Sequence, residues 1–250
     1  NPDDKWHCQP DNGTFSLYRN GRNFFPDSGV FAYSGNEAKR NEFRQTKWHN
    51  TMTIYANNIT TTEGRFLKME TQNNVDVVVT ENPSYETLSH RRAIFYVNKN
   101  NVDKEFFVLI DEGYGADNGK KYNLNFNLCP GTDEEVVLDL NQFGAHTAFA
   151  DGNNIIMRTF ASKNITDAAT SFNGKQSTDI DTSINRKGYT VTLRKGAKET
   201  AVRFITVILP IADAASATIS AEFTDENYSE NGSSIKVTVN GEEYNLSYTL

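Results

Sequence analysis

The sequence predicts an all-β protein built as a large antiparallel β-sandwich of two or more stacked sheets. No long segment shows helical periodicity with capping residues. Short runs rich in β-branched and aromatic residues instead recur between Gly, Asn, Asp and Ser turns along all 250 residues. A hydrophobic fraction of 37% with 12% aromatics suits strands that have one solvated face. The uneven lengths of these runs favour a sandwich over a closed barrel.

The predicted strands follow one another closely. They cover 13–19, 28–35, 51–56, 64–71, 74–81, 90–97, 105–114, 122–128, 136–140, 146–150, 154–160, 189–194, 199–210, 217–223, 234–241 and 242–250. The run at 122–128 alternates strictly, with Leu124 and Phe126 on the face opposite its asparagines. Asn240-Gly241 lies between the last two runs and predicts a type I′ hairpin turn.

The domain organisation that this pattern predicts is simple. Residues 1–250 form a single β-sandwich domain, within which residues 213–250 are set apart as a small C-terminal sub-sheet. The polar stretch 163–188 is either a long loop or a bent pair of short strands.

Charge excludes some classes of partner. The formal net charge is -7, which argues against general nucleic-acid binding because phosphate neutralisation needs a broad basic surface. An anionic ligand would need a local basic patch, and the segment 39–47 supplies four basic residues against one acid. No run approaches the roughly 20 apolar residues of a membrane span.

A histidine directly follows this basic segment. His49 stands with Asn50 and Thr51 before a strand-like run, in RQTKWHNTMTIY. A histidine here is a catalytic group, a metal ligand or a surface residue. The residues alone favour the surface interpretation, because a single histidine has no spacing signature.

Three segments carry a resemblance to a known family. FPDSG (25–29), RQTKWHNTMTI (44–54) and HRRAIFYV with FFVLIDE (90–112) resemble, in the same order, the C-terminal β-domain of the heparinase II/III family of polysaccharide lyases, and within it the heparan-sulfate lyases. The resemblance is carried by motifs in the first half of the chain and by strand pattern after that.

The resemblance implies a fold context and an activity. In this family the β-sandwich follows an N-terminal helical toroid, which is absent from this chain, and the active cleft lies between the two. The chain would then supply one wall of the cleft and be inactive alone. The implied reaction is cleavage of heparan sulfate by β-elimination at uronic acid, in the periplasm or outside a bacterial cell.

The resemblance also implies roles for particular residues. His49 becomes the catalytic proton-transfer group, a role that its near-neutral titration suits. The implied substrate-binding residues are Arg40, Arg44, Lys47, Trp48 and Asn50. The two arginines would hold carboxylates and sulfates in bidentate pairs. The alternatives are a solvated charged loop for 39–47 and a core position for Trp48.

A structural divalent metal ion is the one cofactor left open. Relatives carry a metal in this β-domain, and His90 is the first candidate ligand, with Glu70, Asp76 or Asp111 as companions. The alternative is a hydrogen-bonded structural histidine, which the incomplete ligand set favours. His7, beside Trp6, is placed near the cleft.

Two further interpretations come from the residue types. Asp27 in FPDSG is expected to cap a turn rather than to do chemistry. The runner-up function is a non-catalytic carbohydrate-binding β-sandwich module, which a row of exposed aromatics on one sheet would favour. A surface adhesin-like sandwich has no specific feature in its favour.

Overall fold

Seventeen strands and four short helices make up the described part of the fold. The computed structural model describes residues 8–60, 62–115 and 118–250, apart from the side chain of Ser216, so His7 and Trp6 lie outside the described residues. The strands are β1 Tyr18–Arg19, β2 Arg22–Asn23, β3 Met52–Ile54, β4 Arg65–Gln72, β5 Val75–Tyr85, β6 Leu88–Val97, β7 Phe106–Tyr114, β8 Lys121–Asn127, β9 Val136–Asp139, β10 Gly144–Thr147, β11 Asn154–Ala161, β12 Thr170–Asp179, β13 Thr182–Arg194, β14 Ala201–Ile211, β15 Ile219–Phe223, β16 Gly232–Val239 and β17 Glu242–Thr249. The helices are α1 Glu37–Phe43 and three 3₁₀ turns, Thr46–Trp48, Leu140–Gln142 and Ala214–Ser216. Among the described helices, none has the length and apolar character needed to cross a membrane.

The strands form three stacked layers, which confirms the predicted all-β sandwich. An eight-stranded sheet in the order β4-β5-β6-β7-β14-β11-β10-β9 lies in the middle. A four-stranded sheet, β12-β13-β8-β3, covers one face, and a three-stranded sheet, β15-β16-β17, covers the other. The pairings between these strands are antiparallel, and β1 and β2 form a separate small hairpin.

Two hydrophobic cores separate the layers. The inner core lies between the eight- and four-stranded sheets, and the outer core lies between the eight- and three-stranded sheets. On β7, Leu109 belongs to the inner core, whereas Val108 and Ile110 belong to the outer core. Strands at the centre of the middle sheet are therefore buried on both faces, which explains the unbroken apolar runs of β7 and β14.

The alternation predicted for β8 is confirmed. Leu124 and Phe126 are fully buried in the inner core. Asn125 lies on the other face, where it accepts a hydrogen bond from Thr190 Oγ1 at 2.9 Å and donates to Thr53 Oγ1 at 3.1 Å. Side-chain amides thus link the strands of the four-stranded sheet across its second face.

The predicted hairpin turn is confirmed, and the open question at 163–188 is resolved. Asn240 and Gly241 have φ of 51° and 84°, and Val239 pairs with Glu242, as a type I′ turn requires. The stretch 163–188 is not a long loop, because β12 and β13 pair through most of it with one irregularity between Ser177 and Asp179.

Two local predictions are wrong. Residues 28–35, which the structure describes throughout, form no strand, because Gly29, Phe31 and Gly35 have φ of 72°, 63° and 80° and break the extended backbone. The basic segment 39–47 is not a loop either: it contains most of α1 and the first two residues of the 3₁₀ turn Thr46–Trp48. A helix of seven residues with two buried side chains is too short for its periodicity to be recognised.

Candidate functional site

His49 lies at the end of the 3₁₀ turn Thr46–Trp48, three residues before β3. Its backbone N–H donates to the carbonyl of Thr46 at 3.0 Å and closes the turn. The ring is therefore positioned by a helical turn, and the strand that follows starts only at Met52.

Arg186 on β13 brings a second segment to this turn. Its guanidinium donates to the carbonyl of Trp48 at 3.1 Å and also to the carbonyl of Pro26. Burial lowers the pKa of Arg186 to about 10. One side chain thus ties FPDSG to the residue before His49 and places Asp27 and Ser28 against the imidazole.

Four polar groups surround the imidazole of His49. The Nδ1 atom lies 3.1 Å from the carbonyl oxygen of Gln45. The Nε2 atom lies 3.1 Å from Ser28 Oγ, 3.1 Å from Gln9 Oε1 and 3.3 Å from Asp27 Oδ2. The side chain of His49 has 0% exposed surface. The surface-histidine interpretation is therefore wrong.

Asp27 has two roles in this arrangement. Its Oδ1 accepts the backbone N–H of Gly29 at 2.7 Å, the predicted turn cap, while Oδ2 faces His49. Burial acts to raise the pKa of Asp27, but the hydrogen bond and charge of His49, the Gly29 amide and Arg186 outweigh it and lower the pKa. Burial, helped by the charge of Asp27, raises the pKa of Asp11. Asp27 is therefore the more readily ionised of the two carboxyls.

These carboxyls and the imidazole are the one group of three candidate metal-binding side chains in the described ranges. Asp11, Asp27 and His49 place one ligand atom each within 4.8 Å of one another. The nitrogens of His49 and the oxygens of Asp27 already take part in hydrogen bonds with Gln45, Ser28 and Gly29. Hydrogen bonding accounts for the cluster, and we assign no metal to it.

The two arginines predicted to bind substrate lie on or next to α1. Arg40 is buried, and its guanidinium lies 6.0 Å from the ring centroid of Tyr33. Arg44 donates to the carbonyl of Cys8, and burial, with the charge of Arg40, lowers its pKa. Both side chains are thus engaged by the protein in this structure.

Part of the basic character of this segment is cancelled locally. Lys39 and Lys175 both pair with Glu42, at 2.8 Å and 2.5 Å. Lys47 is half-buried, and its ammonium lies 4.5 Å from the ring centroid of Trp48. Trp48 packs at a tilt on Phe172 of β12, with centroids 5.7 Å apart.

Asn50 is a structural link between two segments. Its side chain donates to the carbonyl of Phe15 at 3.1 Å and accepts the backbone N–H of Asn127 at 2.7 Å. Its carbonyl accepts from Arg92 at 2.6 Å. The side chain is buried and joins the N-terminal segment to β8 rather than facing an opening.

His90 lies in a separate buried cluster of the middle sheet. Its Nε2 donates to Asp111 Oδ1 at 2.6 Å, and the same oxygen accepts from Arg92 at 2.7 Å. Glu70 and Asp76 form other ion pairs on β4 and β5, with Lys68 and Lys99. In the part of the chain that the structure describes, no group of three candidate ligands includes His90, so these residues do not fit a metal centre.

Several residues at His49 were not predicted. Gln9, Ser28 and Arg186 come from three distant parts of the sequence. The FPDSG motif was the available signal, but turn residues look alike whether they cap a turn or face an imidazole. Only the packing of β13 against both segments reveals their meeting.

Fold and site together define a class: a layered antiparallel β-sandwich domain that holds an imidazole–carboxylate pair where two loops meet. The family model described as "Heparinase II/III-like, C-terminal" matches residues 1–231. This chain therefore belongs to the heparinase II/III-like C-terminal family.

Proteins similar to this chain carry names that agree with one another. It is 51% identical over 249 residues to a heparin-sulfate lyase of Bacteroides thetaiotaomicron, covering 98% of this chain and 34% of that protein. It is 34% identical to a heparin-sulfate lyase of Pedobacter heparinus, covering 97% of this chain and 36% of that protein. The chain thus spans about a third of the length of the curated relatives it matches.

Solved structures share the fold. A crystal structure of heparinase III superposes with a TM-score of 0.89 at 49% identity, covering 98% of this chain and 36% of that one. A heparan sulfate lyase, HepC, from Pedobacter heparinus superposes with a TM-score of 0.85 at 31% identity, covering 98% and 38%.

Proposed function

We propose that this chain is the C-terminal β-sandwich domain of a lyase that cleaves heparan sulfate by β-elimination at uronic acid. The observation that carries the proposal is the 51% identity over 249 residues to a protein named a heparin-sulfate lyase. The relatives are about three times as long, which supports a partnership with an N-terminal toroid domain that completes the cleft. Because the substrate is an extracellular polysaccharide, the location proposed is periplasmic or secreted.

The chemistry requires three tasks. A base takes the C5 proton of the uronate, the freed electron pair forms the C4–C5 double bond, and the C4–O bond breaks. The leaving oxygen must then receive a proton, and the negative uronate must be neutralised. His49 is proposed as this chain's proton-transfer group. Because its ring has 0% exposed surface, Gln9 and its neighbours must move aside for a saccharide to reach it.

The proposed binding surface adjoins the 3₁₀ turn. Arg44 and Lys47 keep part of their surface accessible, and both can turn toward carboxylate and sulfate groups. Arg40 and Trp48 contribute to the same surface, Arg40 chiefly through charge because it is buried. Asn50 supports His49 from behind through its bonds to Phe15 and Asn127.

The binding-module alternative has less support. The exposed aromatic side chains in the described residues are Tyr18, Tyr33, Tyr55 and Phe66. They lie on β1, in two loops and on the edge strand β4, so they do not form a row on one sheet. A saccharide-binding platform would require such a row.

The decisive test is formation of unsaturated uronate, followed by ultraviolet absorbance, with the full-length protein acting on heparan sulfate. His49→Ala should lower kcat by about 10²–10⁴-fold, the usual contribution of a positioned proton-transfer group. His146→Ala is the matched control, because His146 pairs with Asp139 away from this site. Wild-type turnover that survives in His49→Ala would contradict the role of His49, and an inactive wild type would contradict the lyase assignment.

A second test addresses binding. The double change Arg44→Gln with Lys47→Gln should raise KM and flatten its salt dependence, because two cations no longer face the polyanion. Lys104→Gln is the control, since this exposed lysine pairs with Glu242 on the other side of the fold. An unchanged KM and salt dependence would remove these residues from the binding surface.

A further inference from the structure

The hydrogen atoms on the His49 ring can be assigned from its neighbours. Nδ1 lies 3.1 Å from the carbonyl oxygen of Gln45, and a carbonyl oxygen only accepts hydrogen bonds. Nδ1 therefore carries a hydrogen. In a neutral imidazole this leaves Nε2 as a bare acceptor, which would need a donor opposite it.

The groups opposite Nε2 are acceptors. The Asp27 carboxylate at 3.3 Å only accepts when ionised. Ser28 Oγ, at 3.1 Å, donates its single hydrogen to the carbonyl of Phe43 at 2.8 Å, so it also presents a lone pair to the ring. The Gln9 amide can turn either end toward Nε2, but it is one group against two.

The surroundings thus match a ring with two N–H groups. Water cannot supply a missing donor, because the side chain of His49 has no exposed surface. A buried imidazolium needs a counter-charge, and Asp27 supplies one at hydrogen-bonding distance. The other charged groups that face this pair are Asp11 and Arg186, with Arg44 beside Asp11.

We propose that Asp27 is a positioning residue which, with Ser28 and the Gln45 carbonyl, holds His49 as an imidazolium before the reaction. On the basis of the proposed function, His49 then gives its Nε2 proton to the departing glycosidic oxygen. The C5 proton goes to a base outside the residues described, the freed electron pair forms the C4–C5 bond, and the neutral imidazole regains its proton from solvent. His49 acts as the acid of the elimination and not as its base.

The first measurement needs no turnover. Nitrogen-15 and carbon-13 NMR of the imidazoles, with the four histidines assigned by single His→Gln changes, counts the protons on His49 in this chain. We expect two ring protons at neutral pH. In Asp27→Asn the second proton should be lost at a pH lower by about one unit, since an adjacent opposite charge is removed. Asp103→Asn, at an exposed loop position, is the control and should leave the titration unchanged.

Rescue separates charge from folding. Asp27→Glu restores a carboxylate and should restore the wild-type titration, even if Asp27→Asn loosens the FPDSG turn. A wild-type ring with one proton at neutral pH would overturn the proposal, as would an Asp27→Asn titration that coincides with wild type.

The pH dependence of turnover by the full-length protein then tests the acid role. Activity should fall as pH rises through the loss of the His49 proton, and Asp27→Asn should move that limb to lower pH, with Asp27→Glu moving it back. A limb on which activity rises as His49 loses its proton would overturn the acid assignment. If the wild type forms no unsaturated product at all, the lyase assignment fails, while the NMR result still decides the state of the ring.

Discussion

His49 and His90 are both buried, and each has an aspartate at one ring nitrogen, yet their surroundings differ. The Nε2 atom of His90 faces Asp111, which also neutralises Arg92, and Nδ1 has no partner in the described part of the chain. Burial lowers the pKa of His90 despite Asp111. Both nitrogens of His49 face acceptors instead, and its aspartate is 47% exposed.

The contrast teaches what sets the role of a buried histidine. An aspartate that is shared with an arginine leaves a neutral ring inside a stable cluster. An aspartate at the protein surface, free of a direct arginine pair, can hold a charged ring next to solvent. Residue type and burial are alike in the two cases, so the third partner decides.

The largest expected effect comes from removing the buried aspartate. Asp111→Asn should lower the free energy of unfolding by about 3–5 kcal/mol, because Arg92 keeps its charge in a site without solvent. Asp27→Asn should cost less than about 1 kcal/mol, since Asp27 is 47% exposed and solvent screens the pair. Urea denaturation followed by circular dichroism measures both, with Asp103→Asn as the surface control. Equal losses for the two variants would break the comparison.

A smaller effect is expected at Asn50, the residue that supports His49 from behind. Asn50→Ala leaves the carbonyl of Phe15 and the N–H of Asn127 without their partner, at a cost of about 1–3 kcal/mol. Asn57→Ala, at an exposed position, should change the free energy of unfolding by much less. The same urea experiment measures both, and indistinguishable midpoints would show that the Asn50 bonds are replaced by water.

The smallest effect is a pH dependence of stability that belongs to His90. Its folded-state pKa lies below the ordinary 6.5, so the unfolded chain binds more protons between the two values and stability rises with pH there. The contribution is complete above about pH 6.5 and is lost as pH falls below that value toward the folded-state pKa. His90→Asn should flatten the dependence of the urea midpoint on pH between about 5 and 6.5, whereas His146→Asn should not. A slope unchanged in His90→Asn would assign the acid sensitivity elsewhere.

Much of the fold was predictable from local pattern. The alternation of β8 requires a strand with one apolar face, and Asn240-Gly241 has the residues that positive φ at both turn positions demands. The failures at 28–35 and 39–47 have local causes too: positive φ at Phe31, and a helix of only seven residues. Hydrophobic periodicity cannot reveal either feature.

The sequence by itself determined that this protein is an antiparallel β-sandwich, and it singled out His49 through a motif shared with the heparinase II/III family. Only the tertiary structure decided what surrounds that histidine. Gln9, Asp27 and Arg186 come together because the four-stranded sheet brings β13 beside two loops that are distant in the chain. Hydrogen bonds between such segments depend on layer packing, and packing geometry is not encoded in the spacing of any one motif.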